Sequence, residues 1–551
     1  MRRRHACQLL LVLIAAISSR PVSAQAAATV SLSDPAYAAI DELQAALPNQ
    51  GLLIGQRPYS RREVARIALR FNDVLSRAPD LAADVRERLA ALVRSLLAAY
   101  AREVRSLNSP NTPASPLALS PAARLDLIGT NSAPRPVPPS NGLGDIVATT
   151  NPLTDGFSGR PVAHGTTTAA ELALPVGIGS WIALEVDPRL TWLSDRTGTR
   201  QFDAELQRAY LRVVVRNVAV QAGADERVWG QGGPNGMLLS ANPRPLHAVT
   251  IANDTPFTLP GFLGRLGPVR ATFMGASLGD AQNFPGAQLY GYKIGIMPTP
   301  RLELGFGIID QMGGTGAPRL GVGERIKDLF PYVFLAISPS SDRQASNKIA
   351  SVDFRYHARW SRDLTVYYEL DPDDFDVRRL GSIYWQDSGH LLGAHIDRLT
   401  ADGRFALDAQ FQRTSLRLYE HGEFTSGVTY RNAIIGDPLG PNALAGYTTL
   451  SARLPRNWTL SLSAALEARD SSVYTVIQSD TVTGRGWRFV KLADGVTEKR
   501  ARMVVNLTNV AADRVVSFWP MVGVERVLND GFALDRTATN VIAGVSLRIR
   551  F

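Results

Sequence analysis

The stretch Val541-Ile542-Ala543-Gly544-Val545-Ser546-Leu547-Arg548-Ile549-Arg550-Phe551 closes the chain and decides how the rest is read. Val541, Ala543, Val545, Leu547, Ile549 and Phe551 are apolar, while Gly544, Ser546, Arg548 and Arg550 stand between them. A period of two is a strand with one apolar and one polar face. A strand of that kind ending on an aromatic residue is the habit of outer-membrane barrels, which turn apolar side chains to lipid and polar ones to a wet lumen.

The opposite end agrees. Arg2, Arg3 and Arg4 precede a short apolar run and small residues around Ala24. This predicts an export signal over residues 1–24, too short to span a membrane. The single cysteine, Cys7, lies inside it, so the exported chain is expected to form no disulfide and no thiolate metal site. Four arginines of the formal +9 charge fall in this segment, which leaves a mildly basic +5 spread along the chain. That spread predicts no nucleic-acid surface. Beyond the signal there is no apolar run long enough for a helical span. A mean hydropathy of −0.04 resembles a soluble protein, and it equally suits a barrel in which half of each strand is wet.

Within residues 30–106 the pattern is helical. Asp34-Pro35 is an N-cap and first-turn pair, and Ser60-x-x-Glu63 is a capping box. About three amphipathic helices follow, the third running from Leu81 to Val104, and form a bundle expected to be periplasmic. A segment rich in Pro, Ser and Asn spans 106–144, with a strand at about Ala122–Gly129. Strand alternation continues to the end. Val352, Phe354, Tyr356, Ala358 and Trp360 alternate with polar Asp353, Arg355, His357 and Arg359. Short turns fall at Arg216-Asn217, Pro298-Thr299-Pro300, Ser361-Arg362-Asp363, Thr400–Gly403 and Pro455-Arg456-Asn457. Long polar segments fall at 223–258, 311–329, 371–388, 436–446 and 470–488. The asymmetry is that of an outer-membrane barrel. Its length predicts a mainly β fold: a large antiparallel transmembrane barrel of about 18 strands over residues 107–551, carrying the small α-helical bundle.

The densest chemistry lies between Gly223 and Pro245. Glycines and prolines fix an irregular backbone from which Asp225, Arg227, Trp229, Asn235, Asn242 and Arg244 project. An aromatic plane beside Asn, Asp and Arg suits a carbohydrate, by stacking on the sugar face and bonding its hydroxyl or acidic groups. The same features suit a loop folded inward to stitch the lumen. Arg355, Arg359, Glu369, Asp408 and Glu467 are expected to form ion pairs across the lumen. Asp371, Asp373, Asp374 and Asp376 crowd one loop; a solvated acidic loop is preferred over a Ca²⁺ site. Gly275-Ala276-Ser277-Leu278-Gly279 matches a nucleophile elbow in letters only, since no helical pattern follows it.

Trp229-Gly230 followed by Ser240-Ala241-Asn242-Pro243-Arg244-Pro245 resembles the capsule assembly (Wzi) family of outer-membrane proteins. Leu52-Leu53-Ile54 with Arg57-Pro58-Tyr59-Ser60-Arg61, Asp353-Phe354-Arg355 with Tyr367-Tyr368-Glu369, and Tyr430-Arg431-Asn432 with Gly436-Asp437-Pro438 resemble it in the same order. Val228 stands where the family often has a second tryptophan. The resemblance implies an 18-stranded barrel with a periplasmic bundle and a lectin-like role in holding capsular or other surface polysaccharide. The expected partners are that polysaccharide and outer-membrane lipid, with a monomeric chain, no cofactor, no metal and no catalysis. The rival expectation is a porin for sugars or anions. Candidate binding residues are Asp225, Arg227, Trp229, Asn235, Asn242 and Arg244, with Arg355, Glu369, Asp373 and Asp374 in the lumen or its loops.

Overall fold

A computed structural model describes residues 26–47, 52–78, 81–109, 117–138, 141–154, 156–330, 345–358, 364–373, 387–478 and 487–551. The predicted export signal, the turn Ser361-Arg362-Asp363, Arg359, Asp374 and Asp376 lie outside the described residues. No helix among the described residues is long and apolar enough to cross a membrane.

Eighteen antiparallel strands close into a barrel. In chain order they are β1 Ala122–Thr130, β2 Gly165–Ala173, β3 Ile182–Asp195, β4 Arg200–Val215, β5 Val218–Asp225, β6 Leu246–Asn253, β7 Pro268–Ser277, β8 Gln288–Thr299 and β9 Leu302–Met312. The second half comprises β10 Ser346–Ala358, β11 Leu364–Pro372, β12 Ser388–Ile396, β13 Phe405–Thr414, β14 Ala443–Leu454, β15 Trp458–Asp470, β16 Thr497–Asn509, β17 Val516–Leu528 and β18 Thr537–Arg550. Each pairs with its chain neighbour. The ring closes where β18 meets β1, from Ile542 opposite Thr130 to Arg550 opposite Ala122. Closure leaves no unpaired edge, which is what lipid requires of a spanning sheet.

The terminal alternation becomes geometry. Val541 and Val545 are exposed on the outside of β18, while Ser546 turns inward and donates to Asp126 at 2.6 Å. The same alternation exposes Leu125, Leu127, Leu211, Val249, Ile251, Leu462, Val522 and Val524. An apolar surface of that extent is stable only against lipid. Aromatic pairs sit near both margins, Trp192 on Phe202 at 5.4 Å and Trp458 on Phe518 at 5.3 Å, as interfacial girdles do.

Two sequence boundaries change. The segment 223–258, read as a long loop, contains β6, because Leu246, Ala248 and Thr250 turn inward while His247, Val249 and Ile251 turn out, so this polar stretch is a stave. The third helix breaks at Tyr100, giving four helices: α1 Pro35–Ala46, α2 Arg61–Ser76, α3 Ala83–Ala99 and α4 Ala101–Asn108.

The predicted Asp34 cap forms, and of the predicted capping box the Ser60 half forms while the Glu63 side chain turns instead to Arg270. The Asp34 carboxylate accepts from Ala36 N at 2.9 Å, and Ser60 Oγ accepts from Glu63 N at 3.2 Å. Tyr37, Ile40 and Leu43 of α1, Val64 and Phe71 of α2, and Leu89, Leu92 and Leu96 of α3 share one core, which extends onto Val510 and Ala512 of a barrel turn. The helices therefore close the short-turn end. Ion pairs fasten them there. Asp34 meets Arg548 at 2.8 Å and Arg550 at 2.9 Å, and Glu42 meets Arg453 at 3.3 Å, while Arg88 of α3 meets Glu42 of α1 at 2.5 Å within the bundle. Burial alone would raise the Asp34 carboxyl, but the two arginines and the Ala36 amide together outweigh it and hold it at about 2.

Candidate functional site: a lumen closed from both ends

Two segments enter the barrel interior from opposite ends, and a cavity of about 460 Å³ remains beside them, lined by Gln231, Arg355, Tyr367, Asp408 and Arg453. From the helical end, a strap over residues 26–34 and 52–60 runs into the lumen. From the long-loop end, the connection between β5 and β6 descends as a plug, residues 226–245. The two meet as a short antiparallel pair, Gln56 opposite Trp229 and Arg57 opposite Val228. Gly230 N then donates to Gly55 O at 3.0 Å. Backbone pairing satisfies polar groups that would otherwise be stranded in a packed interior.

Gln231 anchors the plug to the wall. Its Nε2 donates to Asp353 at 2.7 Å, its Oε1 accepts from Arg355 Nε at 2.9 Å, and its carbonyl accepts from Arg355 Nη2 at 3.0 Å. Lys293 on β8 pairs with the other Asp353 oxygen. Glu369 on β11 accepts from the amides of Gln231, of Gly232 at 2.5 Å and of Met237 at 3.1 Å. Gly230 is required beside it. Its φ of 136° is open to glycine, and a Cβ there would stand 2.6 Å from both Glu369 oxygens.

The predicted residues other than Asp374, which lies outside the described residues, can now be placed. Trp229 is 1 % exposed and packs in an apolar cluster with Leu238, Leu239, Ile309 and Ile349. Its ring lies so close to Gly291 that a Cβ there would approach it to 3.1 Å. The proposed sugar-stacking role is thus corrected: an enclosed indole has no face to offer a ligand. Asp225 is buried and accepts from Arg208 at 3.0 Å and Gln221 at 2.8 Å. Arg227, at the foot of the plug, is buried. These three residues are internal. Arg355 and Glu369 are the plug anchors just described, and Arg355 also lies over the Tyr367 ring at 4.7 Å. Asp373 is buried and accepts from Tyr419 N at 3.0 Å, so Asp371 and Asp373 are parts of the wall rather than of a solvated loop.

Asn235, Asn242 and Arg244 lie higher and are partly exposed. Arg244 pairs with Asp203 at 3.1 Å and with Glu205. Asn242 Nδ2 donates to Ile434 O at 2.9 Å. That bond joins the plug to a second loop, 415–442, which covers it from the long-loop end. Tyr419 OH donates to Met237 O at 2.7 Å, and Leu418, Val428, Tyr430, Ile434 and Ile435 join the Trp229 cluster. Glu420 in this loop is buried, and burial raises its carboxyl to about 8 despite a hydrogen bond from Asn141.

A two-residue hairpin turn tops the loop. Thr429 and Tyr430 pair with Ile434 and Ala433, and Arg431 and Asn432 between them both take positive φ, 48° and 61°. Consecutive left-handed residues make a tight hairpin turn that aims its two side chains outward. Both are exposed, with the Arg431 guanidinium 5.5 Å from the Tyr430 ring centroid. Sequence reasoning quoted Arg431 but did not single it out as a site. The Arg-Asn pair at a two-residue turn was the available signal, but it gives no hint that this turn sits above the plug.

Closed staves, an apolar belt and a segment of the chain folded into the lumen define a plugged outer-membrane β-barrel. The chain belongs to the family described as capsule assembly protein Wzi, which it matches over residues 138–496. Its fold resembles that of Wzi of Escherichia coli, at 14 % identity with a TM-score of 0.60, over 93 % of this chain and 98 % of that one. That protein is described as an outer-membrane, carbohydrate-binding β-barrel involved in group 1 capsule assembly. Pseudomonas aeruginosa OprD aligns over 79 % of this chain and 95 % of that one, at 8 % identity and a TM-score of 0.41. No curated protein matches the chain in sequence. The protein resides in the outer membrane.

Proposed function

We propose that this barrel is a receptor for surface or capsular polysaccharide, which it binds at the long-loop end and helps to assemble or anchor at the cell surface, without catalysis. The observation that carries the reading is the meeting of strap and plug in mid-lumen, Gln56 against Trp229. A barrel filled this way offers a rigid outer platform in place of a passage. Membership of the capsule assembly family and the carbohydrate binding described for the Escherichia coli protein support the same reading.

The binding residues are Arg431, Asn432, Asn235, Asn242 and Arg244, all at least partly exposed at the long-loop end. Guanidinium groups bond acidic sugars, and amides bond hydroxyls. Weak contacts repeated along a polymer gain strength through multivalency. The long-loop end faces outward and the helices lie in the periplasm, following the usual asymmetry of these barrels. The chain acts as a monomer surrounded by outer-membrane lipid.

The test is twofold. In planar bilayers the purified protein should carry no steady ohmic current; a porin-sized conductance reduced by added sugars would transfer the chain to the transport class. Acidic capsular polysaccharide should bind the wild type, and Arg431→Ala should weaken that binding by about 1.5 kcal/mol, roughly ten-fold. Unchanged binding in Arg431→Ala would move the site elsewhere.

A further inference from the structure

Below Trp229, where the strap meets the foot of the plug, lies a cavity of about 60 Å³. Among the described residues, three of its four lining arginines are held in salt bridges. Arg212 pairs with Asp254 at 3.0 Å, Arg270 with Glu63, and Arg57 with Asp41 at 2.5 Å. Arg227 is 7 % exposed, and its one hydrogen bond among the described residues runs from Nη1 to the backbone carbonyl of Asp225 at 3.3 Å. The Asp225 carboxylate itself is occupied. One oxygen accepts from Arg208 and the Glu226 amide, the other from Gln221 and Thr29.

Donors left over on other residues line the same space. Arg212 Nε, Arg270 Nε and Thr250 Oγ1 are buried with no hydrogen-bond partner among the described residues. All three residues are nine-tenths or more buried. Arginine nitrogens can only donate, so the cavity sets unused donors beside a guanidinium that makes no salt bridge among the described residues, while the Glu63, Asp225 and Asp254 carboxylates that also line it are engaged by other arginines. A buried guanidinium without counter-charge is strongly destabilising. Water would satisfy the hydrogen bonds and leave the charge. The space admits more than one water-sized species.

We propose that this cavity binds one small monovalent anion of the halide class, held by Arg227 with help from Arg212, Arg270 and Thr250. The strap and the plug both border the cavity, so the anion joins the two segments that close the lumen. The inference is independent of what binds at the outer mouth.

The test uses the full chain folded in detergent micelles. Sodium gluconate is exchanged for sodium chloride or bromide at constant ionic strength while thermal unfolding is followed. The expected result is a saturable rise in the midpoint of about 2–4 °C with either halide. Arg227→Met should abolish the rise and unfold in gluconate no earlier than the wild type, because the unmatched charge is gone. Crystals of the wild type soaked in bromide should show an anomalous peak within hydrogen-bond reach of Arg227. A halide rise that persists in Arg227→Met overturns the proposal, as does the absence of both rise and peak. Should Arg227→Met fail to fold, the anomalous peak decides alone.

Discussion

The two ends of this barrel are closed by different chemistry. At the short-turn end, helices fold around their own core and are fastened to the rim by arginine–carboxylate pairs, Asp34 with Arg548 and Arg550, and Glu42 with Arg453. At the long-loop end the described residues form their largest apolar cluster jointly with the barrel wall. The plug and the 415–442 loop share one apolar cluster with the barrel wall, built around Trp229, and carry a buried carboxyl with raised affinity for its proton. A closure with its own core can be detached as a unit. A closure whose core is shared with the wall comes apart only if the wall loses packing too. The acid–base behaviour differs in the same sense, since one end depends on ionised carboxylates and the other on a protonated one.

The largest expected effect follows from the shared core. Trp229→Ala removes a fully enclosed indole and should cost about 3–5 kcal/mol. Denaturant unfolding in micelles measures the cost, and channel recordings should show transient openings absent from the wild type. A stability change under about 1 kcal/mol would mean that the plug is not packed as described.

Glu420 comes next. Its carboxyl is raised from the ordinary 4.5 to about 8, so the folded state holds a proton that the unfolded chain releases. Stability from this group is complete below about pH 4.5 and declines as pH rises through 8. Limited proteolysis of the 415–442 loop should therefore accelerate between about pH 5 and 8 and level off above that, and Glu420→Gln should remove that acceleration.

Asp34 predicts the opposite dependence at the other end. Its folded value of about 2 lies below the ordinary 3.8, so its contribution is present above pH 4 and is lost as pH falls through 2. Integrated over the shift, that contribution is about 2 kcal/mol. Asp34→Asn should release the helices at neutral pH to the extent that acid does in the wild type, read by hydrogen exchange over residues 61–76. Equal protection in mutant and wild type would show that the apolar core alone holds the helices. The smallest effect on stability is that of Arg431→Ala, whose side chain is exposed; its unfolding midpoint should stay within a degree of the wild type while polysaccharide binding falls.

Much of the architecture was legible because a barrel writes itself into the chain at a period of two. The alternation of Val541 to Phe551 and of Val352 to Ala358 predicted which side chains face lipid, and the short turns at Arg216-Asn217 and Pro455-Arg456-Asn457 located strand ends. β6 was missed because apolar Leu246 and Ala248 turn inward with Thr250 while polar His247 turns outward with Val249 and Ile251, so neither face reads as purely polar or apolar. The lumen was legible only in part. Charges at Asp353, Arg355 and Glu369 signalled inward partners, but Gln231, the residue they hold, is one polar letter among many in a glycine-rich run. Trp229 was misread for a related reason. Sequence shows an aromatic beside polar groups without showing which side of the fold encloses it, and in this chain the wall at Gly291 closes over the ring.

The ion pairs of Asp34 also bear on the order in which the molecule can be built. Asp34 belongs to the first helix cap, while Arg548 and Arg550 are among the last four residues of the chain and lie on the strand that completes the ring against Ala122–Thr130. The socket for the first helix therefore does not exist until the final strand has been inserted. The N-terminal segment leaves the ribosome first and docks last, so that seating of the helices reports a finished barrel.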